Sequence, residues 1–197
     1  EKQDANGRLC LRLKGQAAPA RNRRERMIDA LVEMIEEEFD RRTHPEVYES
    51  LLAIHQAQCR SVTQQGMGCT ESVDELLNIS IEKGGASVLA DGYLVAGDLK
   101  REDAEFFFHF GVVLQLIDDL QDLEEDSFRD HRTLVGAAAE SGSLDAFTNR
   151  CLDYMTTILA PLCARQKTLH HLIERSCSLL VLEAIAANST YYPFEYI

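Results

Sequence analysis

Three aspartates break into an apolar run. Residues 111–126 read GVVLQLIDDLQDLEED, so Asp118, Asp119 and Asp122 follow Val112, Val113, Leu114, Leu116 and Ile117. An isolated carboxylate is costly to bury, and several close together repel one another. Two carboxylates at i and i+4 can share one cation, and a third at i+1 can help. A hard divalent ion such as Mg2+ prefers such oxygen ligands and keeps waters that a phosphate can replace. It would also depress the carboxyl pKa values and cancel their repulsion. An acidic helix end meeting solvent explains the same string, and the periodicity alone leaves both readings open.

Helical geometry sharpens the pattern. At about 100° per residue, with Asp118 as zero, Asp122 falls near about 40°, Gln115 near about 60°, Asp126 near about 80° and Asp119 near about 100°. Gly111 lies in the same sector, while Val112, Val113, Leu116, Ile117, Leu120 and Leu123 lie mostly outside it. The helix is therefore apolar round most of its circumference and carries its acids on one stripe. That fits a central bundle helix facing a polar cavity better than a surface helix, whose polar arc is wider.

Other chemistry-bearing residues are sparser. Lys83 precedes Gly84-Gly85, where a diphosphate or another helix could come close to the backbone, and Ser80, Lys83 and Ser87 share a helical face. His55 and Gln58 share another. His109 follows three phenylalanines and reads as core edge. His170-His171 reads as surface, with no matching acid cluster. The arginines of RNRRER (Arg21, Arg23, Arg24 and Arg26) form either a solvated helix start or an anion patch. No Ser/His/Asp set and no phosphate-cradling glycine loop occurs.

The elements that must position these residues are helices. Apolar residues recur at helical spacing over 23–42, then from Pro45, at a first-turn position that suits proline, to about 65. Gly66-Met67-Gly68 breaks the chain, and Thr70 offers a cap for a helix that Gly84-Gly85 should kink and Gly97 should end. Further helices are expected over 101–126, within 132–140, from Ser143 toward or past Pro161, and over about 167–188. Residues 1–22 are poorly periodic and read as loop or gap-flanking segment. Strand alternation is absent, so the class is all-α.

Composition sets outer bounds. The 197 residues carry a formal net charge of −13, which argues against a nucleic-acid partner. No run of about 18 apolar residues marks an integral membrane segment. The six cysteines include no CxxC pair and no histidine at metal-finger spacing, so they read as reduced thiols of a cytoplasmic protein.

Three stretches, in order, resemble the trans-isoprenyl diphosphate synthases, which share their fold with class I terpene synthases. LLAIHQAQCRSV (51–62) is similar to the family's H-x-G-Q-x-x-D-L segment, with His55 and Gln58 in place. TESVDELLNISIEKGGASVL (70–89) is similar to its segment ending in K-T-G, with Lys83 on the diphosphate-binding lysine. HFGVVLQLIDDLQDLEED (109–126) is similar to its second aspartate-rich motif. Gly111, Gln115, Asp118, Asp119 and Asp122 match that motif directly. The departures are Ser61 for aspartate, Gly84 for threonine, Leu114 for phenylalanine, and Arg132-Thr133 in place of the second lysine-threonine. The family's first aspartate-rich motif is not found.

The resemblance implies an isoprenoid-synthase-type helical bundle around an apolar cavity, with residues 23–197 as the C-terminal part of one domain, about the C-terminal two-thirds. It implies Mg2+ as cofactor, isoprenyl diphosphates as substrates and a homodimer. It makes Asp118, Asp119 and Asp122 the metal ligands. Lys83 and Gln115 become the catalytic pair and, with Arg132, the diphosphate contacts. Gln58, Ser87 and Gly111 become cavity wall. The implied reaction ionises an allylic diphosphate and condenses it with isopentenyl diphosphate. A terpene synthase that cyclises the substrate and a non-catalytic partner subunit are the alternatives.

Overall fold

The computed structural model describes residues 2–65 and 71–197. Its described residues are helical, with no strand beyond an isolated antiparallel bridge between Gln65 and His131. The expected all-α class is borne out. Glycines 66 and 68, Cys69 and Thr70 lie outside the described residues. None of the described helices is long and apolar enough to cross a membrane.

The first helix, α1 (Lys2–Leu13), corrects the expectation of a loop over residues 1–22. Its own periodicity is weak; long-range ion pairs hold it instead. Arg8 grips Glu25 through Nε and Nη2 at 2.9 and 2.5 Å, and Arg12 grips Glu36 at 2.6 and 2.5 Å. Both carboxylates belong to α2 (Arg23–Glu38). Arg41 joins them: it bonds Glu36, donates to the Leu13 and Arg12 carbonyls, and lies 3.8 Å from the Tyr48 ring centroid. RNRRER is the start of α2, where the Asn22 side chain accepts from the Glu25 N–H and the four arginines are exposed.

Helix α3 (Pro45–Ser61) has proline in its first turn as expected and runs into a 3₁₀ turn at Val62–Gln64. Helix α4 (Val73–Ala96) opens on a capping box: the Ser72 hydroxyl accepts from the Glu75 N–H, and the Glu75 carboxylate accepts from the Ser72 N–H. Gly97 ends it in a left-handed conformation, φ 72°, with its N–H on the Tyr93 carbonyl.

Helix α5 (Arg101–Gln121) is shorter than the expected 101–126. Asp122 leaves helical geometry at φ −91°, ψ 7°, and the chain resumes as α6 (Leu123–Phe128). Then come α7 (Leu134–Ser141), α8 (Asp145–Arg165) and α9 (Lys167–Ala187).

Helix α5 is the axis of the core. Val112 and Leu116 pack with Leu76 of α4, Leu134 of α7 and Cys151 of α8. Val113 and Ile117 pack with Met155 and Leu159 of α8 and with Cys177 and Val181 of α9. Leu120 joins Val135, Leu144, Ala184 and Tyr192. The three sides account for the near-continuous apolar circumference read in the sequence, and each fully buried aliphatic side chain contributes about 1.5–3 kcal/mol. What remains is the stripe that meets Gly84 of α4 and runs out to solvent at Asp118 and Asp122; it carries glycine, glutamine and aspartate.

Candidate functional site

The site is built on the crossing of α4 and α5. A Cβ placed on Gly111 would lie 2.1 Å from the Gly84 carbonyl oxygen, and one on Gly84 would lie 2.5 Å from the Gly111 carbonyl oxygen and 2.6 Å from Gln115 Cβ. The two backbones therefore touch, and no side chain fits between them. The sequence left open whether Gly84-Gly85 admitted a diphosphate or a helix; a helix takes the space. Helix α4 runs through the pair without a break, and Gly85 accommodates the Phe108 ring. Gly111, expected in a cavity wall, is buried in this crossing.

This close approach brings Lys83 and Ser80 of α4 to the acidic stripe of α5. Asp119 is 6% exposed. Its Oδ1 accepts from Gln115 Nε2 at 2.8 Å and its Oδ2 from the Ser80 hydroxyl at 3.4 Å. Burial pushes its carboxyl up to about 6, although the Gln115 bond and the Lys83 charge pull the other way. Asp118 is exposed, yet its carboxyl is also raised, by partial burial and then by the like charge of Asp122, with Lys83 and Gln115 opposing. Asp126 is raised mainly by burial, against the pull of His131, whose Nδ1 stands 3.0 Å from Asp126 Oδ1. One lysine thus faces several carboxyl groups, with His131 beside Asp126.

The stripe divides into two roles. Asp118 and Asp122 are exposed and face solvent, whereas Asp119 is turned inward and holds Gln115. Asp122, at the joint between α5 and α6, starts a new turn in which Asp126 follows. The angular reading already put Asp119 at the far edge of the stripe from Asp118. The pairing of Asp126 with His131 was not anticipated, because His131 approaches through a loop rather than along the helix.

That loop is clamped from behind. The Arg132 N–H donates to the Gln64 carbonyl at 2.9 Å, and Gln64 Nε2 donates to the Arg132 carbonyl at 3.0 Å. The Arg132 guanidinium lies 3.9 Å from Glu140. Thr133 caps α7, its hydroxyl accepting from the Gly136 N–H.

The remaining expected residues are more scattered. Ser87 is half-buried on α4, and Gln58 is exposed on α3. His55 Nε2 sits 3.0 Å from the Asn6 carbonyl, so this histidine helps seat α1. His109 Nδ1 meets the Tyr154 hydroxyl at 2.6 Å. A groove of about 500 Å³ lies between α1 and α2, bordered by Arg8, Leu9, Glu25 and Ile28. Another of about 420 Å³, bordered by Phe106, His109, Pro161 and Arg165, lies toward the opposite end of α5 from Asp118. Neither includes a stripe residue.

Among the described residues, the group of three metal-ligating side chains whose ligand atoms all lie within 4.8 Å of one another is His170, His171 and Glu174, not a set from the stripe. Glu174, three and four residues on, is the acid that the reading of His170-His171 as surface overlooked.

No protein-family model, curated protein or solved structure matches the chain.

Proposed function

We propose that this chain is a Mg2+-dependent prenyltransferase that ionises an allylic isoprenyl diphosphate and condenses it with isopentenyl diphosphate. The observation that carries the reading is the juxtaposition of Lys83 with the carboxyl groups of Asp118, Asp119 and Asp126 across the glycine-to-glycine contact of α4 and α5. Such a patch sets several carboxyl groups around one lysine, and its donors are oxygens, the set that Mg2+ prefers. Asp118 and Asp122 would hold the ion. When bound, Mg2+ supplies positive charge to a departing diphosphate.

The protein groups have separable tasks in this reading. Lys83 adds a point charge for the diphosphate oxygens as negative charge builds on them. Asp119 acts from behind, fixing the Gln115 amide with its carboxylate while Ser80 fixes Asp119. Gln115 is thereby held in one orientation beside the stripe, its amide N–H turned to the Asp119 carboxylate. Arg132, on the loop clamped by Gln64, would add a second positive group.

The test is product analysis with Mg2+ and geranyl, farnesyl or geranylgeranyl diphosphate, with and without isopentenyl diphosphate. Longer diphosphates formed only with isopentenyl diphosphate are expected. Hydrocarbons or alcohols formed without it would replace the reading with cyclisation, and no turnover with any donor would replace it with a non-catalytic subunit. Asp118→Ala should lower turnover by at least about 100-fold, the scale of losing one positioned electrostatic group. Full activity in that variant would remove the stripe from the mechanism.

A further inference from the structure

Helix α9 opens with KTLHHLIE, residues 167–174. His170 and Glu174 are four apart and His171 and Glu174 three apart, so both imidazoles fall beside one carboxylate on the helix surface. Glu174 Oε2 lies 3.7 Å from His170 Nδ1 and 3.6 Å from His171 Nδ1. The two rings meet edge to face at 5.3 Å between centroids. These separations are too long for hydrogen bonds. They are close to the ligand-to-ligand edge of a tetrahedral zinc site, about 3.4 Å for bonds of about 2.0–2.1 Å.

A second observation points the same way. The His170 side chain is only 13% exposed, and its Nδ1 is buried with no hydrogen-bond partner. A buried ring nitrogen without a partner is uncommon in folded proteins. Here it lies within 4.8 Å of the ligand atoms of the neighbouring imidazole and carboxylate.

We propose that His170, His171 and Glu174 bind a borderline divalent cation of the zinc class, with a fourth position left to water. Two imidazoles and one carboxylate suit zinc and its neighbours, whereas Mg2+ prefers an all-oxygen set. The site is thus chemically distinct from the aspartate stripe and does not depend on it. The positive end of the α9 dipole opposes a cation near the first turns, but it weakens binding by less than about tenfold.

The experiment titrates the 197-residue chain with Zn2+ in competition with a zinc-responsive dye, in the presence of excess Mg2+, and records the visible spectrum of the Co2+ form. One equivalent of Zn2+ that Mg2+ does not displace is expected, together with a tetrahedral Co2+ spectrum free of thiolate charge transfer. His171→Ala and Glu174→Gln should each weaken Zn2+ binding by more than about tenfold, since losing even an outer-shell partner costs about 10–100-fold. His171 and Glu174 have side chains 61% and 43% exposed, so both variants should keep the parent's far-ultraviolet circular dichroism. Asp118→Asn should leave Zn2+ affinity unchanged. Absence of Zn2+ binding, unchanged affinity in both variants, or a thiolate band assigning the metal to cysteines would overturn the proposal.

Discussion

Alanine at Gly111 should force the two site-bearing helices apart. Its Cβ would stand 2.1 Å from the Gly84 oxygen, 2.8 Å from the Gly84 carbonyl carbon and 3.0 Å from Val88 Cβ. Ordinary carbon contacts begin near about 3.5 Å, so the crossing must open by roughly 1 Å. The obstruction is backbone on both sides, which cannot swing away as a side chain can. Overpacking of this kind costs about 1–3 kcal/mol, and the upper half of that range applies here. Replacing a mid-helix glycine returns about 0.5–1 kcal/mol of backbone entropy. The net loss is about 2 kcal/mol. At about 2–4 °C per kcal/mol for a domain of this size, the melting temperature should fall by about 4–8 °C. Thermal unfolding followed by circular dichroism measures it. Gly7→Ala is the control: that position has nothing within 4 Å of an added Cβ, so it should be neutral or slightly stabilising. A Gly111→Ala protein that melts at or above the parent temperature would refute the argument that backbone contact at this crossing sets the helix separation.

Asp119→Asn should stabilise the protein at pH 8. Because burial raises the folded carboxyl to about 6 from an ordinary 3.8, Asp119 favours folding fully below about pH 3.8, and that contribution is lost as pH rises through about 6. The variant keeps the Gln115 bond and removes a penalty on the order of 1–3 kcal/mol; urea unfolding at pH 4 and pH 8 should show the difference between variant and parent growing with pH, and a constant difference would contradict it. Glu36 shows the opposite sign: Arg12 and then Arg41 hold its carboxyl down to about 2. The docking of α1 should therefore be complete above about pH 4.5 and fade as pH falls through about 2. At pH 7, Glu36→Gln should speed amide exchange over residues 4–13 while leaving α5 unchanged; equal protection in parent and variant would show that the ion pairs do not hold α1.

The helices that sequence made legible are those whose stops and starts are local. Pro45, Gly97 and the 3.6-residue recurrence of apolar positions carry their own instructions, and α5 was readable as central because only one stripe of it is polar. Helix α1 escaped because its partners Glu25 and Glu36 lie 17 and 24 residues away. The break at Asp122 escaped because Leu120 and Leu123 continue the apolar pattern straight through it. At the site, the stripe and Lys83 were visible as spacing. The inward turn of Asp119 was not, since it depends on how near Gly84 lets α4 come. His170, His171 and Glu174 were in plain view as H-H-x-x-E and needed only the i+3 and i+4 test.

The clamp between Gln64 and Arg132 has a consequence for the order in which the chain assembles. Helices α4 and α5 are joined by a four-residue link, 97–100, so their crossing closes a short loop at small entropic cost. The clamp spans 68 residues and encloses that hairpin entirely. Local contacts are cheaper to make before distant ones, so the crossing belongs to the nucleus and the clamp to the final steps. The loop that carries His131 and Arg132 is then the last piece to be fastened and the first to come undone, and it can open while the aspartate stripe stays in place.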